Sequence, residues 1–278
     1  MTEDSGRRVN ARSLDGVSET ALMTLYSRAH QAGLANPLIG DPTAIELVKS
    51  IDFDFDKFGR KGQEIALRAL VVDRAALEYL RRHPEATIVA LAEGFQTTFW
   101  RLNNALPEAR FRWVSLDFAP VIELRQQLLP HSDRITYLAQ SALDYSWMNE
   151  IDSSKGVFIT AEGLLMYLQP EEAMGLIAAC AQHFPGGQMF FDLPPTLVNT
   201  LAPKGVRSSR RYRVPPMPFS LSVKELAQLP GSMPGVAAVH DLPMPPGRGF
   251  FFRTVFPALW DFGPTASLRG TFALLDFA

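Results

Sequence analysis

An α/β fold built on an open, mostly parallel sheet with helices on both faces is what this sequence predicts. Three observations carry that prediction. Short apolar runs alternate with helical patterns through the middle of the chain, as expected of parallel strands buried on both faces. The run IVALAEGF (88–95) passes from strand-like sequence into an Ala-Glu-Gly step. A second run, FRWVSLD (111–117), ends in an acid 23 residues after Gly94, near the roughly 20 expected of a nucleotide-binding βαβ unit. In such a unit the first turn lets the backbone approach a ligand, and the acid reaches a ribose diol.

The elements follow in order. Residues 1–17 are polar and read as a mobile arm. From Ser18, Ala21, Leu22, Leu25, Ala29 and Ala32 recur at helical spacing until Gly33. Asp41-Pro42 opens a second, short helix. A third covers about 63–82 and closes at His83-Pro84. Residues 18–85 therefore read as a helical cap. Residues 86–193 read as the nucleotide-binding core, with strands at 88–91, 113–116, 135–138, 157–160 and 189–193 and a clear helix at 171–184. Fourteen of the 21 prolines fall between Pro185 and Pro264, so 194–235 reads as a stiffened, lid-like insertion. Residues 236–278 complete the sheet with late strands at 236–242 and 271–277. Residues 250–260 fit either a strand or a short helix. All of this is expected to form one domain of 278 residues.

Composition narrows the function classes. A net charge of −2 and a pI near 6.2 argue against a dedicated nucleic-acid binder. No apolar run reaches the length of a membrane span and no leader sequence is visible. The single cysteine, Cys180, excludes an internal disulfide and suits a reducing cytoplasm. Five histidines occur, none in a metal-ligand spacing, so no metal is expected. Oligomeric state leaves no mark on the sequence.

The two-strand signal alone leaves nicotinamide, flavin and S-adenosyl-L-methionine (SAM) sites open. A pyrophosphate cradle needs a loop of three glycines over a helix N-terminus. Gly94 is the only glycine between Gly62 and Gly156. SAM has no phosphate, and a carboxylate such as Glu93 would repel a pyrophosphate but attract a sulfonium or an ammonium. The balance therefore favours SAM.

Four segments resemble the leucine carboxyl methyltransferase-like O-methyltransferases, in particular their bacterial branch associated with polyketide-type small-molecule methylation. They are LRALVVDRAALEYLRRHP (67–84), IVALAEGFQTTFWRL (88–102), YLAQSALDYSWMNEI (137–151) and ITAEGLLMYLQPEEA (159–173). FPGGQMFFDLPP (184–195) and YRVPPMPF (212–219) add support. The resemblance runs from about Glu19 nearly to the C-terminus. It implies a class I SAM-dependent methyltransferase fold, Rossmann-like, with S-adenosyl-L-homocysteine (SAH) as product. By position it implies that Arg68 pairs with the SAM carboxylate and that Glu93 and Gly94 lie beside the methionine portion. It further implies that Asp117 accepts from the ribose hydroxyls, that Ser141 and Ala142 line the adenine, and that Glu162 faces the methionine end. Tyr26 and Arg28 fall on the helix that closes the site in relatives. The chain departs from the family pattern at Ala92, where glycine is usual, and at Ser141, where aspartate is frequent. A methyl at position 92 is tolerated if the backbone there avoids positive φ.

The acceptor side is less marked. His240, on a late strand, and Tyr167 are candidate catalytic groups. Lys204, Arg207, Arg210, Arg211 and Arg213 form a basic run in a stretch with no acid from 193 to 224. It reads either as a surface pairing with the protein's own acids or, with Tyr212, as a funnel for an anionic acceptor. Tyr167, Tyr212 and Trp260 are candidates for an aromatic pocket wall. The expected activity is methyl transfer to oxygen on a small molecule, a carboxylate or a phenol or other hydroxyl, polyketide-like in character. The alternatives are a catalytically silent binding or scaffold protein that kept the fold and a nicotinamide-dependent oxidoreductase.

Overall fold

The structure, a computed structural model, describes residues 8–59, 61–202, 204–255 and 269–278. A short parallel pair, β1 (Val9–Asn10) and β2 (Ile51–Asp52), joins the N-terminal segment to the end of α2. Between them lie α1 (Gly16–Ala32) and α2 (Pro42–Ser50). Proline at its first position and the Asp41 carboxylate, accepting from the Ala44 N–H at 3.1 Å, start α2. The expected arm thus differs from what is seen from Arg8 onward. Val9 pairs with Ile51, and Ala11 and Leu14 are buried. These apolar side chains are spaced too irregularly to signal an element.

The core follows as α3 (Glu64–Arg82), β3 (Thr87–Leu91), α4 (Thr98–Ala105), β4 (Arg112–Asp117), α5 (Ala119–Leu128) and β5 (Ile135–Ala139). Then come β6 (Val157–Ala161), α6 (Pro170–His183) and β7 (Gln188–Leu193). Three short helices, α7 (Thr196–Leu201), α8 (Val223–Ala227) and α9 (Leu229–Ser232), precede β8 (Val236–Asp241) and β9 (Thr271–Phe277). The seven-stranded sheet has the order β5-β4-β3-β6-β7-β9-β8. Strands β3 to β7 pair in parallel, and β9 runs antiparallel between β7 and β8. The order reverses between β3 and β6, the crevice where open α/β sheets bind ligands.

Strand alternation decides which helices cover which face. Ile88, Trp113, Phe158 and Phe190 pack under α3 and α4 through Val72, Ala76, Phe99 and Leu102. Val89, Val114, Ile159 and Met189 pack under α6 through Leu176, Ile177 and Cys180. Cys180 behaves as a buried apolar side chain. Each fully buried large side chain contributes on the order of 2–3 kcal/mol, so this two-sided core fixes the strand ends that build the crevice. Residues 251–255 form one irregular helical turn. Residues 256–260, with Trp260, lie outside the described residues.

Candidate active site

At the C-terminal ends of β3, β4 and β6 a cavity of about 280 Å³ opens. Its floor includes Ala92, Gly94, Asp117 and Glu162, and Arg68 enters from α3. Its roof is α1, through Ala21 and Thr24, and the 206–217 segment, through Val206, Val214 and Met217.

The loop leaving β3 is held from inside by two buried arginines. Arg125 Nη1 donates to the carbonyls of Gly94 (2.7 Å) and Gln96 (3.0 Å). Arg28 Nη2 donates to the Phe95 carbonyl (2.7 Å), and Arg28 Nε lies 3.4 Å from Asp41. Asp41 also accepts from Arg101 Nη1 (3.0 Å), and Arg101 pairs through Nε with Asp73 (2.7 Å). Arg28 therefore braces the loop rather than facing the cavity. Tyr26 donates outward to Asp56 (2.6 Å).

Each expected site residue can be placed. Gly94 has φ +56°, and a Cβ there would come within 2.7 Å of the Ala21 Cβ, so glycine lets α1 close on the loop. Ala92 is the one non-glycine at positive φ (+48°) among the described residues. The condition for tolerating its methyl is therefore not met, and the residue sits in a strained left-handed conformation. Asp117 accepts from the Gly94 N–H and from its own neighbour Phe118, each at 2.7 Å. Burial pushes its carboxyl up, against the pull of those two N–H groups. Each carboxylate oxygen keeps a further lone pair for a hydroxyl donor. Phe118, which sequence reading passed over, also lines the cavity and is 56% exposed.

Arg68 Nε donates to Glu162 Oε1 (2.9 Å) and Nη1 to Asp192 Oδ2 (3.1 Å). Asp192, on β7, also accepts from the Gly163 N–H (2.7 Å). Burial alone would pull the Arg68 guanidinium down, but Asp192 and Glu162 outweigh it and hold it charged. Arg68 Nη2 and Glu162 Oε2 keep no protein hydrogen-bond partner among the described residues.

Other expectations are met differently. Glu93 borders the cavity, but its carboxylate lies 2.8 Å from Arg125 and accepts from Trp113 Nε1 at 3.2 Å. It is committed inside the protein and does not offer its charge to a sulfonium. Ser141 and Ala142 lie past β5, one strand beyond β4, and neither lines the cavity. The Ser141 hydroxyl accepts from Leu143 N–H (3.2 Å), and the Ala142 carbonyl accepts from Trp147 Nε1 (3.1 Å).

Tyr167 does line the cavity. Burial pushes its hydroxyl up, so at neutral pH it is a donor rather than a base. His240 does not reach the cavity. It is exposed on the edge strand β8 and lies 2.8 Å from Asp276.

The basic run faces away. Arg211 pairs with Asp54 (2.6 Å) and Arg207 donates to the Ser209 and Arg210 carbonyls. Arg210 is exposed, and none of these arginines lines the cavity. Tyr212 is buried edge-on against Phe58 (4.7 Å), a packing role instead of a pocket wall. The run thus docks its segment onto residues 54–59, where the Ser209 hydroxyl donates to the Lys57 carbonyl (2.5 Å). Among the described residues no group of His, Cys, Asp or Glu could hold a metal, and no helix is long and apolar enough to cross a membrane.

This sheet order, with its crevice at the switch between β3 and β6, defines a class I methyltransferase fold. The chain belongs to the leucine carboxyl methyltransferase family, whose sequence profile matches residues 21–181. It is 32% identical over 189 residues to the tetracenomycin polyketide synthesis O-methyltransferase TcmP of Streptomyces glaucescens, covering 66% of this chain and 69% of that one. It is 30% identical over 221 residues to the SAM-dependent methyltransferase dpfgK of Gibberella zeae, covering 70% and 74%. Among solved structures, a protein of Thermobifida fusca YX, itself a methyltransferase by assignment only, superposes with a TM-score of 0.55. It is 17% identical and covers 99% of this chain and 96% of that one. Family membership replaces the nicotinamide alternative with SAM chemistry.

Proposed function

We propose that this protein transfers the methyl group of SAM to an oxygen of a small-molecule acceptor. One observation carries the reading. Arg68 offers an unspent donor and Glu162 an unspent acceptor in the same cavity as the acid that ends β4. That arrangement complements an α-amino-acid zwitterion joined to a ribose. Arg68 Nη2 would take the carboxylate, Glu162 the ammonium and Asp117 the ribose hydroxyls. The likeness to TcmP supports oxygen on a polyketide-type acceptor.

Bound SAM would supply a methyl carbon already activated by its sulfonium. The acceptor oxygen forms the new C–O bond while the sulfur keeps the electron pair of the broken one. An acceptor proton, where present, leaves to solvent. What the chain adds is alignment and exclusion of water. The α1 roof and the apolar wall of Val206, Val214 and Met217 serve both. A carboxylate acceptor needs no base at pH 7, and a phenol can receive a hydrogen bond from Tyr167.

Calorimetry with SAM and SAH tests the reading. Both should bind, and Asp117→Ala should weaken SAH by about 1–3 kcal/mol through loss of a charged acceptor. Failure of either ligand to bind at millimolar concentration would leave the silent scaffold as the better account. Labelled methyl recovered on carbon or nitrogen of the acceptor, rather than oxygen, would overturn the O-methyl assignment.

A further inference from the structure

A second cavity, of about 380 Å³, opens between α3 and α4 and shares no lining residue with the first. We propose that it binds a small organic acid, an apolar ring or chain ended by one carboxylate, at a site separate from methyl transfer. Its volume falls in the range of pockets for single small ligands.

The spacing along α3 builds one wall. Leu70, Arg74, Leu77 and Arg81 stand four, three and four residues apart, so they share one stripe of the helix. The sheet takes a different face of α3, through Val72, Ala76 and Tyr79. Leu70 and Leu77 are left half-buried. Leu102 of α4, Ile39 and Pro245 complete the apolar part of the lining.

Four charged groups border this hollow: Asp73, Arg74, Arg81 and Arg101. Asp73 and Arg101 neutralise each other through two bonds, at 2.7 and 2.8 Å. Arg101 also donates to Asp41, Thr97 and Thr98. Arg74 and Arg81 are exposed, and neither has a hydrogen bond or an ion pair among the described residues. Glu78, the acid between them in sequence, pairs with neither. The hollow therefore carries two uncompensated positive charges beside apolar walls. Seven residues of helix separate the two arginines by about 10 Å along the axis, a gap that two long side chains close on one carboxylate. Guanidinium groups match that anion in shape as well as charge. A bare inorganic anion would leave the apolar walls wet, and a neutral hydrocarbon would leave the charges unanswered. An acid with an apolar body meets both.

The test uses naphthoate as the probe and naphthamide, its neutral analogue, as the control. Each is titrated by calorimetry into the full chain in the presence of SAH. Naphthoate should bind the parent saturably and more weakly as salt rises. The double substitution Arg74→Gln with Arg81→Gln should weaken naphthoate roughly tenfold or more, as expected for lost charge-assisted contacts. It should change naphthamide less than about twofold and leave SAH affinity as it was. Arg110→Gln with Arg112→Gln, which removes two exposed arginines elsewhere, should leave naphthoate binding unchanged. No saturable binding of naphthoate to the parent overturns the proposal. So does an equal loss for both probes, or an equal loss for both arginine pairs.

Discussion

Ala92 shows how one methyl group is tolerated where glycine would fit better. Its φ of +48° lies in the left-handed region, where a residue with a Cβ costs about 1–2 kcal/mol. The strain persists because Arg28 and Arg125 grip the carbonyls that follow. Ala92→Gly should relieve it. Glycine's greater freedom in the unfolded chain returns about 0.4–1 kcal/mol of that gain. A net stabilisation of about 0.5–1 kcal/mol is therefore expected in urea unfolding, with SAH affinity no weaker. A variant less stable than the parent would show that the methyl makes a contact worth more than the strain. The sequence exposed the departure at position 92, but the sign of φ belongs to the fold and could not be read from residue types. The place of Gln96, which lines the cavity, was illegible for a similar reason, since only the fold sets its amide Nε2 against Glu162, 66 positions away.

At the scale of elements, buried ion pairs tie the cap to the sheet. Asp41 joins Arg28 on α1 to Arg101 on α4, and Arg101 reaches Asp73 on α3. Burial pushes the Asp41 carboxyl up, but Arg101 and Arg28 outweigh it and hold it below the usual aspartate range. Asp41→Ala would strand two buried guanidinium groups and should cost about 3–5 kcal/mol. By contrast, Arg211→Ala breaks an exposed pair with Asp54 and should cost less than about 1 kcal/mol. The pH dependence has a definite sign. A carboxyl whose folded pKa lies below its unfolded value adds stability above the unfolded value, near pH 4, and that stability fades as pH falls through the folded one. The stability gap between parent and Asp41→Asn should therefore narrow below about pH 4; a gap that widens in acid would contradict the assignment. Urea unfolding across pH checks both. These pairs escaped sequence reading because arginine and aspartate on helices are ordinarily solvated, and only the packed structure shows them inside.

The whole molecule was the more legible level. The parallel strands read as apolar runs within a residue or two of their observed ends, because burial on both faces leaves few polar positions inside them to blur the pattern. The acid at the tip of β4 and the glycine after β3 were legible through their spacing, and the structure brings them to within one hydrogen bond. The roof was harder to read. It joins α1, the turn at 55–58 and the 206–217 segment through Lys57, which pairs with Glu19 and sits over Phe58 and Tyr212. Of the two sequence readings of the basic run, a surface that pairs with the protein's own acids is the one Arg211 takes against Asp54, since the segment turns its apolar side chains inward and its charges out.

A structure of the protein crystallised with SAH tests the central claim most directly. The account predicts the ligand beneath α1, with its ribose on Asp117 and its amino-acid end between Arg68 and Glu162. Ligand density elsewhere on the molecule, or SAH in the crevice with its ribose turned away from Asp117, would contradict it.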